Sequence, residues 1–137
     1  MEAVYDWVQA EIKYVNGMEK GALAALKDKT GDCKELSALF VAICRAKGIP
    51  ARMVRVPDHC YAEFYLADTA GVGHWFPCQP AGDKAFGEMP FQYVILQKGD
   101  NFQNVLTAKK VTFLEEEMKI MANVKPRPRF IMRIVSE

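Results

Sequence analysis

The sequence has no long apolar run and no excess of either charge. Among its 137 residues, 18 are Lys or Arg and 17 are Asp or Glu, which gives a formal net charge of +1. Nucleic-acid-binding domains usually carry a strong basic excess, so no nucleic-acid partner is expected. The longest apolar run, residues 38–44, is seven residues long, whereas a helix that spans a bilayer needs about 20. We therefore do not expect the chain to span a membrane.

Cysteine is also scarce, with Cys33, Cys44, Cys60 and Cys78 as the four positions. This content lies well below that of a disulfide scaffold. No Cys-x-x-Cys pair indicates a zinc site, and we expect neither a metal nor a cofactor. The cysteine count does not decide the compartment. No signal peptide is visible at the amino terminus, and two possibilities stay open: an extracytoplasmic location with the signal segment already removed, and membership of a larger protein.

Length and composition predict a single domain over residues 1–137. Hydrophobic periodicity predicts helices over residues 2–15, 19–27 and 33–47, with Gly48 and Pro50 as stop signals for the third. That third helix is apolar on nearly every side, so it should be buried at the centre. Strands are predicted over residues 51–56, 59–66, 74–79, 91–96, 111–120 and 129–135; segment 111–120 also suits a helix. Helices followed by an antiparallel sheet predict an α+β fold.

Cys33 stands at the first turn of the predicted central helix. The amino end of a helix carries a partial positive charge and unpaired N–H groups, which favour a thiolate over a thiol. A lowered pKa would make Cys33 a nucleophile, and the same N–H groups could hold an oxyanion. The alternative is a small core residue, but the flanking Asp32 and Lys34 favour a partly exposed position.

Two histidines could serve as the base, and hairpin geometry favours His59 over His74. Pairing His59 with Gln79 centres the turn on Thr69, inside a stretch of small residues. In this register the two side chains share one face, and Gln79 can accept a hydrogen bond from one ring nitrogen. The other nitrogen is then left for Cys33. Papain-like proteases use asparagine in this orienting role.

The same register makes Cys60 and Cys78 direct cross-strand neighbours on the core face, which predicts that their sulfurs are close, with a disulfide as one possible outcome. Cys44 is expected to be inert core. Asp58 and Asp83 are alternatives to Gln79 as the group that orients the imidazole.

Four ordered motifs resemble the core of the transglutaminase-like superfamily. The family pattern is Gly-Asp-Cys at a helix start, Arg-x-x-Gly-Ile-Pro-Ala-Arg, a His-x-Trp-x-Glu strand and a Trp-x-x-x-Asp-Pro strand. In this sequence the motifs stand as Thr30-Gly31-Asp32-Cys33, Cys44 to Arg52, His59 to Glu63, and Trp75 to Pro80. The resemblance covers about residues 1–80.

This resemblance implies a papain-like α+β fold and thiol acyl transfer through a Cys-His-Asp triad. Cys33 would be the nucleophile and His59 the general base, acting on a peptide or protein amide. Two positions depart from the pattern: Gln79 stands where the family usually has aspartate, and Tyr61 where it often has tryptophan. Many bacterial members are peptidases, so we expect a cysteine peptidase or amidase with Cys33, His59 and Gln79 at its site. The alternative is a catalytically impaired binding or scaffolding module. Trp7 is a candidate for the second oxyanion donor, with an aromatic side chain of the core as the alternative interpretation.

Overall fold

The computed structural model describes residues 1–17, 19–116, 120–121, 123–124 and 126–135. It is an α+β structure, as predicted. The helices are α1 (Glu2–Glu11), α2 (Ala22–Asp28) and α3 (Cys33–Ala46). The strands are β1 (Lys13–Tyr14), β2 (Thr30–Gly31), β3 (Ala51–Val56), β4 (His59–Ala67), β5 (Gly73–Cys78), β6 (Gln97–Lys98), β7 (Phe102–Gln103) and β8 (Lys110–Val111).

Helix α3 begins at Cys33 because a capping box fixes its first turn. The Asp32 carboxylate accepts a hydrogen bond from the Lys34 N–H at 2.8 Å, and Glu35 accepts one from the Asp32 N–H at 3.1 Å. The buried Glu35 carboxylate also accepts the N–H groups of Lys20 and Gly21, at 3.1 and 3.3 Å. Donors at a helix start need such acceptors. The cap therefore ties α3 to the loop before α2 and fixes where Cys33 stands.

The main sheet is antiparallel, with the strand order β5-β4-β3-β6. One face of β4, including Ala62 and Phe64, packs on α3 in the main core. The ring centroids of Phe40 and Phe64 lie 6.0 Å apart. Alternation along β4 turns Tyr61 to the opposite face, where Val54 and Tyr93 cover it. The predicted central position of α3 is therefore confirmed.

The hairpin of β4 and β5 has a different register from the predicted one. Ala62 lies opposite Cys78 and Tyr65 opposite Trp75, so the strands are shifted by two residues. An even shift keeps every side chain on its predicted face. The predicted pairing of Cys60 with Cys78 is wrong, because Cys78 lies opposite Ala62. The four cysteines, all among the described residues, are free.

The first two helices are shorter than predicted. The chain leaves helical geometry at Ile12, with φ −108° and ψ 110°, and continues as β1, which pairs in parallel with β2. Helix α2 starts only after Gly21, whose φ of 82° is incompatible with a helix interior. Pairing between β1 and β2 draws the end of α1 towards the start of α3.

The strand predictions in the last third of the chain are mostly wrong. Segments 91–96 and 129–135 are irregular, and of 111–120 only the start belongs to a strand, within β8; residues 117–119 lie outside the described residues. On the side away from β4, β3 pairs only with the short strand β6 and its flanking residues. The flanking hydrogen bonds run from Leu96 N–H to Arg55 O and from Gly99 N–H to Met53 O, both at 2.8 Å. Apolar alternation alone does not make a strand where no edge is available. Within the described ranges, no helix is both long and apolar enough to cross a membrane.

Candidate active site

Cys33 is the first residue of α3 and is partly buried. As the first helical residue, it has a backbone N–H without an acceptor inside the helix. The partial positive charge at this end of α3 favours a negative charge on the sulfur. The sequence prediction for the position of Cys33 is therefore confirmed.

His59 begins β4, and Gln79 follows the last residue of β5. Although the register differs from the predicted one, the two side chains meet: His59 Nε2 and Gln79 Oε1 are 3.0 Å apart. Gln79 lies opposite Tyr61 if the ladder is extended by one residue, which makes His59 its diagonal neighbour, still within side-chain reach. The structure thus brings these two predicted residues together.

A backbone carbonyl fixes which end of the Gln79 amide faces the imidazole. Gln79 Nε2 donates a hydrogen bond to the Asp83 carbonyl oxygen at 3.0 Å, so the amide oxygen points at His59. Because an amide oxygen only accepts, His59 Nε2 must carry the hydrogen. The other ring nitrogen, Nδ1, is left for the sulfur of Cys33. Asp83 therefore contributes through its backbone rather than through the carboxylate that the sequence suggested.

Hydrogen bonds to the sulfur strongly stabilise the thiolate of Cys33. A hydrogen bond from the Cys60 thiol, with smaller contributions from His59 and the Cys60 backbone, lowers the pKa of Cys33 from 9.0 to about 4, although burial opposes the shift. The same contact with Cys33 raises the pKa of His59 despite its burial, and Gln79 adds to this increase. A thiolate beside an imidazolium is the combination that both shifts favour.

Cys60 is a site residue that the sequence prediction missed. Its side chain is buried, and the hydrogen bond to Cys33 together with burial raises its pKa, so it stays a thiol. Cys60 directly follows His59 along β4, and its side chain lies on the core face and packs toward α3. The sequence contained one signal for this contact. If the Cys33 sulfur reaches the His59 ring, it must also lie near Cys60, the next residue of the strand.

Tyr14 is a second residue that the sequence prediction missed. It pairs with Gly31, two residues before Cys33, through the β1–β2 ladder. Partial burial and then the charge on Cys33 raise the pKa of the Tyr14 phenol, which therefore stays protonated near neutral pH. The phenol donates a hydrogen bond to Asn16 Oδ1 at 2.9 Å and half of the side chain is exposed. A protonated hydroxyl thus lies within electrostatic range of the Cys33 sulfur.

His59 and Tyr14 line the same cleft, with a volume of about 980 Å³. The cleft lies between the carboxyl end of α1, β1 and the loop that follows Gln79. Both charges are present on its walls, in Glu11, Lys13, Asp83 and Lys84. An extended polar substrate could therefore approach the His59 side of the site.

The other predicted candidates lie elsewhere. His74 is at the far end of the hairpin, opposite Leu66, and its ring packs on Phe76. Trp7 is partly exposed and lies under the Lys29 ammonium group, 4.6 Å from the ring centroid. Asp58 occupies the turn between β3 and β4 with a φ of 56°, and it is Gln79 that contacts His59 Nε2. Among the described residues, no group of three or more His, Cys, Asp or Glu side chains could hold a metal ion.

A comparison with family models identifies the superfamily that the sequence motifs resemble. The sequence matches the transglutaminase-like superfamily over residues 1–80. A crystal structure of a candidate cysteine protease from Cytophaga hutchinsonii is similar at 21% sequence identity with a TM-score of 0.37; the match covers 69% of this chain and 28% of that protein. This chain thus corresponds to less than a third of that protein. No curated protein matches the sequence. Because the family match takes in more than half of the residues, the chain belongs to the transglutaminase-like superfamily.

Proposed function

We propose that this chain is a cysteine acyl-transfer enzyme, a peptidase or amidase, with Cys33 as nucleophile, His59 as general acid and base, and Gln79 as the orienting group. One observation carries the proposal. A sulfur whose pKa is lowered to about 4 contacts an imidazole, and the other nitrogen of that ring is held by Gln79. A nucleophile, a proton carrier and an orienting acceptor in series are what acyl transfer through a thiol requires.

The reaction would begin with attack of the Cys33 thiolate on the carbonyl carbon of an amide. The C–N bond then breaks, the His59 imidazolium gives its Nδ1 proton to the leaving amine, and a thioester forms on Cys33. Neutral His59 next removes a proton from water or from an acceptor amine, which attacks the thioester and frees the sulfur. Each step returns His59 to the protonation state that the next step uses.

Two donors are available for the oxyanion that forms during each attack. One is the backbone N–H of Cys33, which has no acceptor inside α3. The other is the phenol of Tyr14, which lies near enough for the charge on Cys33 to raise its pKa. To act on the oxyanion, this hydroxyl would exchange its hydrogen bond to Asn16 for one to the substrate oxygen. Trp7, the candidate that the sequence offered for this role, instead lies under the Lys29 ammonium group, and this contact speaks against it.

The substrate would be a peptide or protein amide, bound in the cleft beside His59. Residues 1–137 would form one catalytic domain. Contacts from the second half of the chain to the first support this: the Ala85 N–H donates to the Tyr5 hydroxyl at 2.9 Å, and β6 pairs with β3. The loop that carries Asp83 is thus tied both to the site and to α1.

Acylation by an activated ester tests the proposal without knowledge of the natural substrate. With p-nitrophenyl acetate, we expect a burst of p-nitrophenol and an acetyl adduct on Cys33, detected by peptide mass spectrometry. Cys33→Ser should lose the burst, while Cys44→Ser, which alters a buried thiol of raised pKa, should keep it. A burst of equal size in Cys33→Ser would contradict the proposed role of Cys33.

A second candidate is a binding module of the same fold with impaired catalysis. The observation that favours it is Gln79, a neutral amide that stabilises an imidazolium less than the usual aspartate would. A module of this kind would show slow thiol labelling of Cys33, similar to that of Cys44, and no acetyl adduct. Rapid and selective labelling of Cys33 together with acylation would exclude it.

A further inference from the structure

The start of β4 brings a second thiol to the sulfur of Cys33. Cys60 offers both its thiol and its backbone N–H to that sulfur. The contact has support one turn further along α3, where the Ser37 hydroxyl donates to the Cys60 carbonyl oxygen at 3.5 Å. Residues 33 and 37 lie on the same face of the helix, so this face of α3 lies against the first residues of β4. Acyl transfer as proposed above has no covalent use for a second thiol at this position.

We propose that Cys33 and Cys60 form a redox couple, in which a hydroperoxide oxidises Cys33 and Cys60 then closes a reversible intramolecular disulfide. The proposal goes beyond the acyl-transfer function and does not depend on it. It requires only a reactive thiolate, access for a small oxidant and a thiol in contact. Cys33 is partly buried rather than enclosed, which leaves access for a molecule as small as hydrogen peroxide.

The chemistry balances in two steps. First, the Cys33 thiolate attacks one peroxide oxygen, the O–O bond breaks, and the leaving alkoxide or hydroxide takes a proton from the His59 imidazolium; Cys33 becomes a sulfenic acid. Second, the Cys60 sulfur attacks the Cys33 sulfur, the S–O bond breaks, and hydroxide leaves with the Cys60 proton as water. In total, two thiols lose two hydrogens, one hydroperoxide is reduced to an alcohol (or to water, for hydrogen peroxide), and the disulfide-forming step releases one water.

The first step prepares Cys60 for the second. The hydrogen bond to Cys33 is the largest cause of the raised pKa of Cys60, and the charge on Cys33 adds to it. A sulfenic acid is uncharged near neutral pH, so oxidation of Cys33 removes the negative charge of its thiolate. The Cys60 thiol then loses its proton more easily and becomes a better nucleophile. Oxidation thus turns a hydrogen-bond donor into an attacking group.

The remaining two cysteines form an internal comparison. Cys44 and Cys78 are both fully buried, and burial is the largest cause of the raised pKa of each thiol. They are also near each other, since Cys44 contributes to the pKa increase at Cys78. Two thiols that are close but hardly ionised should resist oxidation. Thiolate character, and not proximity alone, would therefore determine that Cys33 and Cys60 form the disulfide rather than Cys44 and Cys78.

The experiment treats the reduced full chain with one equivalent of hydrogen peroxide. Remaining thiols are then labelled with N-ethylmaleimide in denaturant and the chain is mapped without reduction. We expect a linked Cys33–Cys60 peptide, labels on Cys44 and Cys78, and full reversal by dithiothreitol. Cys60→Ser keeps a hydroxyl donor at the same position; in it, Cys33 should stop at the sulfenic acid, with about tenfold more dimedone adduct than in the unmodified chain. Cys78→Ser should form the Cys33–Cys60 link as the unmodified chain does.

A sulfenic or sulfinic acid on Cys33 with Cys60 still labelled would overturn the proposal, as would a disulfide through Cys44 or Cys78. If Cys60→Ser is poorly folded by circular dichroism, Cys60→Ala replaces it, and the linked peptide in the unmodified chain still decides the outcome. The readout is a covalent link rather than turnover. Disulfide formation in a chain without ester acylation would therefore refute the proposed enzyme function and support the redox couple.

Discussion

Replacement of Gln79 by leucine tests the link between the amide and the reactive sulfur. Leucine fills a similar volume but offers no acceptor to His59 Nε2, which now lies 3.0 Å from the amide oxygen. Since Gln79 is buried, water cannot easily take over. The imidazolium loses a hydrogen-bond acceptor that it needs, whereas neutral imidazole can present an unprotonated nitrogen to the leucine. The charged form of His59, and with it the thiolate of Cys33, should become less favourable.

A hydrogen bond to a charged group contributes about 1.5–3 kcal/mol, and one pH unit corresponds to about 1.4 kcal/mol. The apparent pKa of Cys33, about 4 in the unmodified chain, should therefore rise by roughly one to two pH units in Gln79→Leu. The upper end of that range assumes that the thiolate and the imidazolium titrate as a pair. Near neutral pH, Cys33 should still be mostly thiolate in both proteins.

The assay is the rate of Cys33 alkylation by iodoacetamide as a function of pH, followed by peptide mass spectrometry. The midpoint of the rate profile reports the apparent pKa of the thiol. His74→Gln is the matched control, because His74 lies at the far end of the hairpin, and its midpoint should equal that of the unmodified chain. Equal midpoints for Gln79→Leu and the unmodified chain would refute the role of Gln79. A midpoint near the ordinary thiol value in the unmodified chain would refute the whole arrangement.

Three further substitutions test the supports of the site. The pKa of Glu35 is lowered from its ordinary value of 4.5. Its negative charge therefore stabilises the fold above pH 4.5, and this stabilisation is lost as the pH falls through the pKa of the folded state. Glu35→Gln should lower the free energy of unfolding, measured in urea, by about 1–3 kcal/mol at pH 7 and by less at low pH. Tyr14→Phe should slow ester acylation about tenfold or more without changing the rate of Cys33 alkylation, whereas equal slowing of both would speak against an oxyanion role. Gly82→Ala introduces a Cβ 3.3 Å from Gln79 Nε2 at a φ of +98°; acylation should slow, and an unchanged rate would show that the loop does not hold the amide.

The central part of the fold could be predicted from local features of the sequence. The Asp32–Glu35 capping box and the Gly48 stop are chemical signals that act within a few residues, so the bounds of α3 were predicted to within one residue. Strands β3 to β5 alternate clearly, and parity kept the predicted faces correct although the register was shifted by two residues. For the same reason the meeting of His59 and Gln79 was predicted correctly, whereas the predicted cross-strand pairing of Cys60 with Cys78 was wrong.

The errors concern partners that are remote in sequence. Strand predictions after residue 90 rested on apolar alternation. In the structure, the edge of β3 that faces away from β4 accommodates only Leu96 to Gly99. Which strand edges are available for pairing is a property of the assembled sheet and cannot be read from a local pattern. The contact between Cys60 and Cys33 depends on how β4 lies against α3, and periodicity gives the face but not the neighbour. Tyr14 was assigned to a helix, so its place beside Gly31 could not be predicted.

The carbonyl of Asp83 gives the neutral Gln79 a dependence that a carboxylate would not have. The two oxygens of an aspartate are equivalent, and rotation by half a turn presents the same acceptor to a histidine. The two ends of a carboxamide differ, so the same rotation would offer hydrogens to the ring and favour the opposite tautomer, with the proton on Nδ1 and none on Nε2. In this chain one peptide group on the cleft wall therefore decides which nitrogen bears the proton, and the shape of that loop takes over part of the task that negative charge performs in an aspartate triad.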